Sequence, residues 1–408
     1  MSKLEMLIQE YCPNGVEYKL FGEMATIVRG ASPRPIKSFI TTAEDGVNWI
    51  KIGDVAQGSK YITGTAEKIT PDGAKKSRFV KEGDFILSNS MSFGRPYILK
   101  TQGCIHDGWL AISDIEKYFI PDFLYHLLNS NIYQQTMRQK ASFGGAVQNL
   151  NADIVRGLEM PVVPLEIQSE IVRILDNFTE LTAELTAELT ARKKQYEYYR
   201  ESLLTFRDDT PVVRLGDFST ITRGGNFQKK DFVEDGKPCI HYGQMYTHFG
   251  VYANKTLTFV NDEVFQKSKL ALPNDIVMAV TSENVEDVCS CTAWLGNEPI
   301  AVSGHTAIIH HNQNPKFLSY YFRTSHFFVQ KKKLAHGTKV MEVTPDKLND
   351  ILIPLPPIEE QNRIVAILDR FDSLCNDISA GLPAEIEARQ KQYEYYRDKL
   401  LTFKELSV

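Results

Sequence analysis

The chain has 408 residues, too many for one ordinary domain, and its 43% hydrophobic and 11% aromatic content is typical of a folded protein. No apolar run approaches the ~20 residues that cross a bilayer. Glu5 and Glu10 stand where a secretion signal needs an apolar core, so we expect a cytoplasmic protein without membrane contact.

The net charge of −5 is unevenly distributed. Residues 1–150 carry a net charge of +2 and residues 209–345 a net charge of +1. Residues 151–208 and 346–408 each carry −4. Charge therefore neither supports nor excludes nucleic-acid binding, because the excess acid is confined to two segments.

The chain is a tandem duplication. Residues 194–206 (KQYEYYRESLLTF) recur at 391–403 (KQYEYYRDKLLTF), and 11 of the 13 positions are identical. Residues 161–178 match 354–371 at 10 of 18 positions. Further upstream only scattered anchors match, such as the Pro-x-Phe-Leu sequences that begin at Pro121 and Pro315. We predict two units, roughly the two halves of the chain.

Each predicted unit begins with a mixed α/β globular domain. Short β-like runs such as 84–87 and 275–278 lie among glycine-rich turns. Apolar residues at helical spacing then predict an amphipathic helix at about 121–140, with a copy at about 315–332.

A proline-flanked connector leads from each globular domain into a long helix, because proline suits a first helical turn and resists extending a helix backwards. The predicted boundaries are 1–155 for the first globular domain, 156–208 for a central helical spacer, 209–348 for the second globular domain and 349–408 for a distal helical spacer.

Apolar residues in both spacers follow the three-four spacing of a coiled coil. The first stripe runs through Ile171, Ile174, Phe178, Leu181 and Leu185 and resumes from Tyr196 to Phe206; its copy runs from Ile364 to Phe403. Steps of four within 182–189 (TAELTAEL) form a stutter, the footprint of an inserted tetrapeptide. Four additional residues in the second copy include Gly381 and Pro383, where a kink or restart of the helix is expected.

Connectivity predicts that the two long helices are antiparallel. Only 207–211 separate the first helix from the second globular domain, and that domain feeds the second helix. The predicted fold class is therefore mixed α/β (α+β) globular domains in two copies, joined by two long antiparallel coiled-coil helices with pseudo-two-fold symmetry.

The copies diverge unequally. Nearly identical tyrosine-rich helices suit two copies of one partner, whereas globular domains that keep their scaffold and change their loops suit two different targets. B-DNA has a two-fold symmetric backbone, which a pseudo-symmetric protein can match with one domain in each major groove. The alternative is that the repeated helix is an ordinary surface preserved by duplication.

The sequence lacks the motifs of an autonomous DNA enzyme. It holds no phosphate-binding G-x-x-x-x-G-K-[ST] loop and no G-x-G-x-x-G turn after a strand. Six cysteines are scattered, and the close pair Cys289 and Cys291 has no second pair at zinc spacing, so we expect free thiols and no metal site. We therefore predict no catalytic residues.

Three stretches carry a resemblance to a known family. They are residues 7–23 (LIQEYCPNGVEYKLFGE), the doubled tetrapeptide of 182–189, and the KQYEYYR motif that follows it. Over its whole length the chain resembles the specificity subunit of type I restriction–modification systems, and the doubled tetrapeptide is similar to that of one branch of this family.

The resemblance implies a DNA-binding subunit in which each globular domain reads one half of a split double-stranded site. The helices would set the gap and hold two modification (methyltransferase) subunits, with restriction subunits joining the larger complex. It implies no cofactor on this chain; S-adenosylmethionine, ATP and Mg²⁺ are expected on the partner subunits. The alternatives are a structural coiled-coil tether with protein-binding heads and an autonomous DNA modification enzyme.

Loop residues that combine a hydrogen-bond donor with flexible neighbours are the candidates for DNA contact, since arginine reads guanine and asparagine or glutamine reads adenine. They are Arg29, Arg34, Lys37, Asn89, Arg95, Gln148 and Asn149 in the first domain, and Arg223, Asn226, Lys229, Lys230, Asn284, Thr338 and Lys339 in the second. The alternative for each is an ordinary solvated surface residue.

The tyrosine-rich repeats are the candidates for partner binding, because Tyr198, Arg200 and their copies match although they lie off the apolar stripe. The predicted partner-binding residues are Tyr196, Tyr198, Tyr199, Arg200, Tyr393, Tyr395, Tyr396 and Arg397.

Overall fold

The duplication read from the sequence appears as two compact units in the computed structural model, which describes residues 2–55, 58–89, 93–141, 149–206, 209–377 and 380–406. Unit 1 comprises Met1–Thr186 and Glu385–Val408, and unit 2 comprises Ala187–Ala384. The division falls inside one long helix, so each unit is a globular head together with segments of the helical spacers. Head 1 denotes residues 2–161 and head 2 residues 209–354.

Unit 1 contains twelve described strands and the helices that connect them. The strands are β1 (Tyr18–Leu20), β2 (Thr26–Arg29), β3 (Ile40–Thr41), β4 (Val47–Ile50), β5 (Tyr61–Ile62), β6 (Glu67–Ile69), β7 (Arg78–Val80), β8 (Phe85–Ser88), β9 (Pro96–Leu99), β10 (Gly103–Ile105), β11 (Trp109–Ser113) and β12 (Glu159–Pro161). The helices are α1 (Lys3–Tyr11), α2 (Phe21–Met24), α3 (Pro71–Lys75), α4 (Pro121–Asn129), α5 (Asn131–Ala141), α6 (Ala152–Arg156) and the long α7 (Leu165–Leu203), with 3₁₀ turns at Ile36–Ser38 and Ile52–Asp54.

Unit 2 repeats this succession. Its strands are β13 (Val212–Arg214), β14 (Ser219–Arg223), β15 (Phe232–Val233), β16 (Lys237–Ile240), β17 (Tyr252–Ala253), β18 (Thr258–Val260), β19 (Lys269–Ala271), β20 (Ile276–Ala279), β21 (Thr281–Ser282), β22 (Cys291–Trp294), β23 (Ile300–Val302), β24 (Thr306–His311), β25 (Met341–Glu342) and β26 (Leu352–Pro354). Its helices are α8 (Leu215–Phe218), α9 (Gln244–Thr247), α10 (Asp262–Lys267), α11 (Pro315–Tyr321), α12 (Ser325–Leu334), α13 (Pro345–Leu348) and α14 (Ile358–Asn376), with a 3₁₀ turn at Lys229–Asp231; α15 (Leu382–Leu400) follows and lies mostly in unit 1.

The two heads share one sheet topology. Head 1 has sheets in the order β2-β11-β8-β9-β5 and β3-β6-β4-β10-β7, and head 2 has β14-β24-β20-β22-β17 and β15-β18-β16-β23-β19. The parallel pairs also correspond, since β4–β10 matches β16–β23 and β5–β9 matches β17–β22. The described part of head 2 adds one small ribbon, β21–β25.

The first sheet of each head is buried on both faces. In β8, Phe85 and Leu87 belong to the cluster that includes α4 and α7, whereas Ile86, between them, packs with Ile50 of the second sheet. Successive residues of a strand point to opposite faces, which explains why the run is continuously apolar. The sheet therefore joins the spacer helices on one side to the second sheet on the other.

The amphipathic helix predicted at 121–140 is wrong as a single element. Two helices occupy the segment, because α4 ends before Ser130, whose backbone is extended (ψ 152°). The copy at 315–332 is divided in the same way, and Thr324 caps α12 by accepting a hydrogen bond from the Phe327 amide. Threonine favours helix N-termini, so α12 begins at its own side-chain cap, whereas α5 begins after the extended backbone of Ser130.

The second spacer is interrupted at the place where Gly381 and Pro383 predict it. Helix α14 ends at Asn376 and α15 begins at Leu382. The Gly381 amide donates to the Asp377 carbonyl at 3.0 Å, and a Cβ at Gly381 would lie 2.5 Å from the Ser373 carbonyl oxygen. Glycine therefore allows the chain to close tightly over the end of α14.

Within unit 2, α7 and α14 pack in the antiparallel sense. Tyr196 donates its hydroxyl to Asp372 at 3.2 Å, and Tyr199 stacks on Phe371 at 5.1 Å, so numbers rise along one helix as they fall along the other. Within unit 1, α7 and α15 meet through Phe178 and Tyr396, stacked at 5.4 Å. Leu181 is exposed, so the predicted apolar stripe is not continuous.

The C-terminal segment pairs with the start of head 1. The Val16 amide donates to the Lys404 carbonyl and the Leu406 amide to the Val16 carbonyl, both at 2.9 Å. Gly15, before them, has a φ of +111°, and a Cβ there would lie 2.5 Å from the Lys404 carbonyl oxygen. This approach requires glycine.

Gly15→Ala should destabilise unit 1 by about 1–3 kcal/mol, since the substitution adds a left-handed backbone penalty and a clash with fixed backbone. Gly83→Ala is the matched control, because Gly83 has a φ of +92° and no atom within 4 Å of its Cβ position. Urea unfolding and hydrogen exchange at the Leu406 amide check this. Equal losses in the two variants would mean that the C-terminal contact contributes nothing.

Candidate nucleic-acid interface

Three loops of head 1 meet at one edge of its first sheet. Because β2 and β11 are antiparallel, the loop that leaves β2 lies beside the loop that enters β11. The Gly30 amide donates to the Trp109 carbonyl at 2.9 Å, and the Ala31 amide donates to the Ile105 carbonyl at 3.2 Å. The third loop leaves β4 of the second sheet at Lys51, which lines the same cleft as Ser32 and Asp107.

Asp107 is the centre of this edge. Its carboxylate accepts hydrogen bonds from the Ser32 hydroxyl at 2.7 Å and from Arg34 at 3.2 Å. Its backbone carbonyl accepts from Arg29 Nε at 3.1 Å and from the side-chain amide nitrogen of Asn89 at 2.9 Å. The Ser32 hydrogen bond, followed by a backbone hydrogen bond and then by the charge of Arg34, holds the pKa of the Asp107 carboxyl below its ordinary value. Four loop side chains are thus tied to one ionised residue.

These bonds assign different roles to the predicted residues of head 1. Asn89 is buried, and its side-chain amide donates a hydrogen bond to the Asp107 carbonyl, so it positions that loop. Arg29 holds the same carbonyl through Nε. Arg34 and Lys37 are exposed on the loop that leaves β2.

The remaining predicted residues of head 1 lie beside this group. Arg95 and Asn149 are exposed. The Ser88 amide donates to the Arg95 carbonyl at 3.1 Å, and the Leu150 amide to the Asn89 carbonyl at 2.9 Å, which places both next to Asn89. Gln148 and most of its loop lie outside the described residues.

A cleft of about 1070 Å³ opens between the loops of head 1. Its lining includes Arg34, Lys37, Lys51, Trp49 and His106. Burial lowers the pKa of His106, so its imidazole is neutral at neutral pH. Its Nδ1 accepts from the Gly108 amide at 2.8 Å, which leaves Nε2 as the donor of the ring. The cleft therefore combines cations at its mouth with an aromatic wall.

Head 2 builds the same edge with different side chains. Arg223 Nε donates to the Gly304 carbonyl at 2.9 Å, as Arg29 does to Asp107. Leu110 pairs with Arg29 and Ala307 with Arg223, which confirms that the two arginines hold equivalent positions. Arg223 also pairs with Glu342 at 3.0 Å. Both arginines therefore fasten the loop that enters the corresponding strand.

A row of rings replaces the aspartate-centred cluster in head 2. His241 and Tyr242 have ring centroids 4.5 Å apart, and Tyr242 and His305 are 4.9 Å apart. His305 Nδ1 lies 3.2 Å from the Thr281 hydroxyl, and the Tyr242 amide donates to the Ser303 hydroxyl at 2.9 Å. Burial lowers the pKa of His241, and the Lys229 charge lowers it further.

The other predicted residues of head 2 divide between this edge and local turns. Asn226, Lys229 and Lys230 are exposed on the loop that leaves β14. Thr338 and Lys339 are exposed on the loop before β25. Asn284 uses both amide atoms on Asp287, each at 2.7 Å, and so closes a turn.

Sequence reasoning missed Asp107 and Ser32 in head 1 and Tyr242 and His305 in head 2. Residue type points first to cationic and amide donors as base-reading side chains, so acidic and aromatic residues carry no comparable signal in the sequence. The available signal was position: His106-Asp-Gly108 and Ser303-Gly-His305 are equivalent glycine-containing turns that precede buried strands.

The tyrosine-rich repeats separate into buried and exposed side chains. Tyr196 is buried and Tyr199 stacks on Phe371 within unit 2. In unit 1, Tyr393 contacts His126 and Tyr396 stacks on Phe178. Tyr198 and Tyr395 are 67% and 62% exposed and Tyr199 is 36% exposed, so Tyr198 and Tyr395 are the most exposed tyrosines of the two repeats.

The expectation that Arg200 and Arg397 both lie off the packed face is wrong. Arg397 is only 8% exposed, lies over the Tyr393 ring at 5.6 Å and bonds Asp398 at 3.1 Å. Arg200 lies over Tyr196 at the same 5.6 Å and is partly buried. A guanidinium packs well on an aromatic face, which draws both side chains inward.

The described residues hold no cluster of three or more histidine, cysteine, aspartate or glutamate side chains arranged to bind a metal ion. All six cysteines, each within the described part of the chain, are free thiols. Among the described helices none is both long and apolar enough to span a membrane.

Comparison with known proteins gives one consistent family. A family model described as the type I restriction modification DNA specificity domain matches residues 13–192 and again residues 207–388. Each match covers one head and part of the spacer that follows it.

Two relatives carry matching descriptions. A Haemophilus influenzae protein named "putative type I restriction enzyme specificity subunit" is 28% identical over 418 aligned residues, which cover 95% of this chain and 96% of that protein. The EcoR124I/EcoR124II specificity subunit of Escherichia coli is 39% identical over 249 residues, 60% of this chain and 61% of that protein.

Solved structures share the fold. A chain from a study of complex assembly and conformational transition in the type I R-M system has a TM-score of 0.65 at 18% identity and covers 95% of this chain and 98% of its own. The HsdS subunit of Thermoanaerobacter tengcongensis has a TM-score of 0.56 at 20% identity, covering 95% and 97%.

Asp107→Asn should weaken the loop edge of head 1 by about 0.5–1 kcal/mol at pH 7, a modest value because the carboxylate is partly exposed. The pKa of the Asp107 carboxyl is lower in the folded than in the unfolded protein. Its contribution to the free energy of unfolding is therefore fully present above the unfolded pKa of about 3.9 and is lost as the pH falls through the folded pKa. Urea midpoints from pH 7 to pH 3 measure it. Asp45→Asn, at an exposed carboxylate of head 1, is the control; matching pH profiles for the two variants would contradict the assignment.

Proposed function

The chain belongs to the family of type I restriction–modification DNA specificity subunits, and we propose how its parts divide that work. Each head reads one half of a bipartite double-stranded DNA site, the spacer helices set the gap, and two modification subunits bind the helices. The chain itself is non-catalytic. The observation that carries the proposal is one loop edge built twice on the same scaffold with different side chains.

The difference between the two edges suits the reading of different bases. Head 1 presents Arg34 beside an ionised Asp107, and head 2 presents Tyr242 and His305. Major-groove base edges differ in their pattern of donors, acceptors and methyl groups, so distinct side-chain sets select distinct base pairs. The hydrogen bonds of Arg29 and Arg223 hold the loops that precede β11 and β24 at equivalent positions relative to the first sheet of each head.

Charge supports a subunit that depends on its partners for affinity. Acidic groups lie close to the basic residues at both edges; Arg34 pairs with Asp107, and Arg223 with Glu342. Nonspecific affinity for DNA comes mainly from cations that neutralise phosphates. The modification subunits would therefore contribute phosphate contacts as well as the methyl-transfer chemistry with S-adenosylmethionine; ATP and Mg²⁺ would serve restriction subunits.

Co-expression with a modification subunit should produce adenine methylation at a two-part motif with a fixed gap, mapped by methylome sequencing. The double variant Tyr242→Ala with His305→Ala should lower the base preference at the second half-site only. A loss of about 1.4 kcal/mol in discrimination at a base pair corresponds to an about tenfold lower preference there. Arg34→Ala with Lys37→Ala should change only the first half-site, which makes each pair the control for the other. Methylation that is independent of this chain would overturn the proposed function.

Tyr198→Ala and Tyr395→Ala should each weaken the binding of one modification subunit, because an exposed aromatic side chain at an interface contributes about 1–2 kcal/mol or more when buried by a partner. Native mass spectrometry and titration calorimetry of the complex measure stoichiometry and affinity. Tyr11→Ala is the matched control, since Tyr11 is 46% exposed on α1 and outside the repeats. Unchanged affinity in both repeat variants would show that the repeats do not bind the partner.

A further inference from the structure

In unit 1 the head is fastened to the spacer helices by a polar cluster, named here the unit 1 joint: Lys60, Asp122, His126, Asp176 and Tyr393. His126 of α4 is buried and uses both ring nitrogens, with Nδ1 3.0 Å from the Tyr393 hydroxyl of α15 and Nε2 3.0 Å from the Asp176 carboxylate of α7. Lys60, beside edge strand β5, contacts Asp122 and lies 3.4 Å from Asp176. Asp176 is therefore the point at which a sheet edge and two helices converge.

Unit 2 has an equivalent cluster, the unit 2 joint: Tyr196, Lys316, Tyr320, Asp369 and Asp372. Asp369 accepts from the buried Tyr320 hydroxyl and from Lys316, both at 2.8 Å. Tyr196 of α7 donates to Asp372 at 3.2 Å. Lys316 lies 4.0 Å from the centre of the Tyr252 ring, at the start of edge strand β17.

Three members of each joint occupy matched positions. Asp176 and Asp369 are matched positions of the repeated stretch, and Tyr393 and Tyr196 are matched tyrosines of the repeated motif. His126 and Tyr320 occupy equivalent positions, five residues after the anchor prolines of α4 and α11.

The lysine that contacts the matched aspartate comes from a different element in each unit. In unit 1 it comes from the sheet edge, and in unit 2 from the helix, as Lys316. Both ammonium groups lie over the tyrosine that begins the edge strand, at 5.4 Å from Tyr61 and 4.0 Å from Tyr252. The lysine–aspartate contact is retained although the residue that supplies it has moved, which points to the contact itself as the functional requirement.

We propose that Asp176 and Asp369 are positioning residues that fix the angle of each head on its spacer helices and so sharpen the choice of gap between the two half-sites. The inference rests on the proposed function. A carboxylate held by two donors at fixed distances resists rotation of the head, whereas apolar contacts alone are non-directional. Looser heads would accept gaps one base pair shorter or longer without changing which bases are read.

The test uses the complete chain in complex with modification subunits and DNA that carries both half-sites at the natural gap and at gaps one base pair shorter and longer. In Asp176→Asn and Asp369→Asn, the ratio of methylation at the natural gap to methylation at altered gaps should fall by about tenfold. Half-site preference at the natural gap should stay as in the wild type. Glu184→Gln on α7 and Glu359→Gln on α14 remove exposed carboxylates and should leave the ratio unchanged.

Tyr320→Phe provides a second variant that removes one donor from Asp369 and leaves the buried ring in place. A lowered gap ratio in this folded variant supports the inference even if an aspartate variant is unstable. Folded Asp→Asn and Tyr320→Phe complexes with wild-type gap ratios would overturn it. Failure of the proposed function looks different, because the wild-type complex would then show no two-part methylation.

Discussion

The interaction on which the rest of each unit depends is the packing of α4 or α11 between a sheet and the spacer helices. On one side Phe123, Leu124 and Leu127 join the buried face of the first sheet. On another side His126 bonds α7 and α15. The loop edge is part of that sheet, so the direction in which the loops point is fixed by the same helix that fixes the head to its spacer.

This arrangement explains why the copies can diverge unequally. Substitution in a buried strand such as β8 disturbs the packing on both of its faces at once. Loop residues such as Lys37 and Lys230 are exposed, and the Arg29 or Arg223 hydrogen bond keeps the loop in place while other side chains change. Recognition can therefore change at low cost in stability, because the scaffold and the contact surface are different residues.

The sequence predicts the repeated architecture well because its causes are local. The three-four apolar spacing, the prolines of the connectors and Gly381 act through neighbours in sequence, and α7, α14 and α15 lie where these signals place them. The apolar spacing continues across Ser130, so the sequence pattern does not reveal the break that the extended backbone of Ser130 makes there.

The site could be predicted only as a set of loops, because its chemistry depends on partners far apart in sequence. Asn89 resembles a base-reading amide until the Asp107 carbonyl is found to occupy it, 18 residues away. Arg397 resembles a surface cation until Tyr393 and Asp398 are found to hold it inward. Residue type identifies possible donors, and only the fold shows which of them are already used.

A second contact between each head and its helices shows how the duplicated geometry tolerates different side chains. Asp398 accepts from the Asn131 amide at 3.1 Å at the start of α5, and Glu201 accepts from the Ser325 amide at 3.0 Å at the start of α12. Both carboxylates meet the positive end of a helix, where unpaired amides favour an anion. Glu201 bonds Ser325 with both oxygens and lies 3.8 Å from Arg200, whereas Asp398 also bonds Arg397 at 3.1 Å. Glu201 is one methylene longer than Asp398, so the two carboxylates bond different partners while each still caps its helix terminus. The two units thus keep equivalent attachments without keeping identical residues.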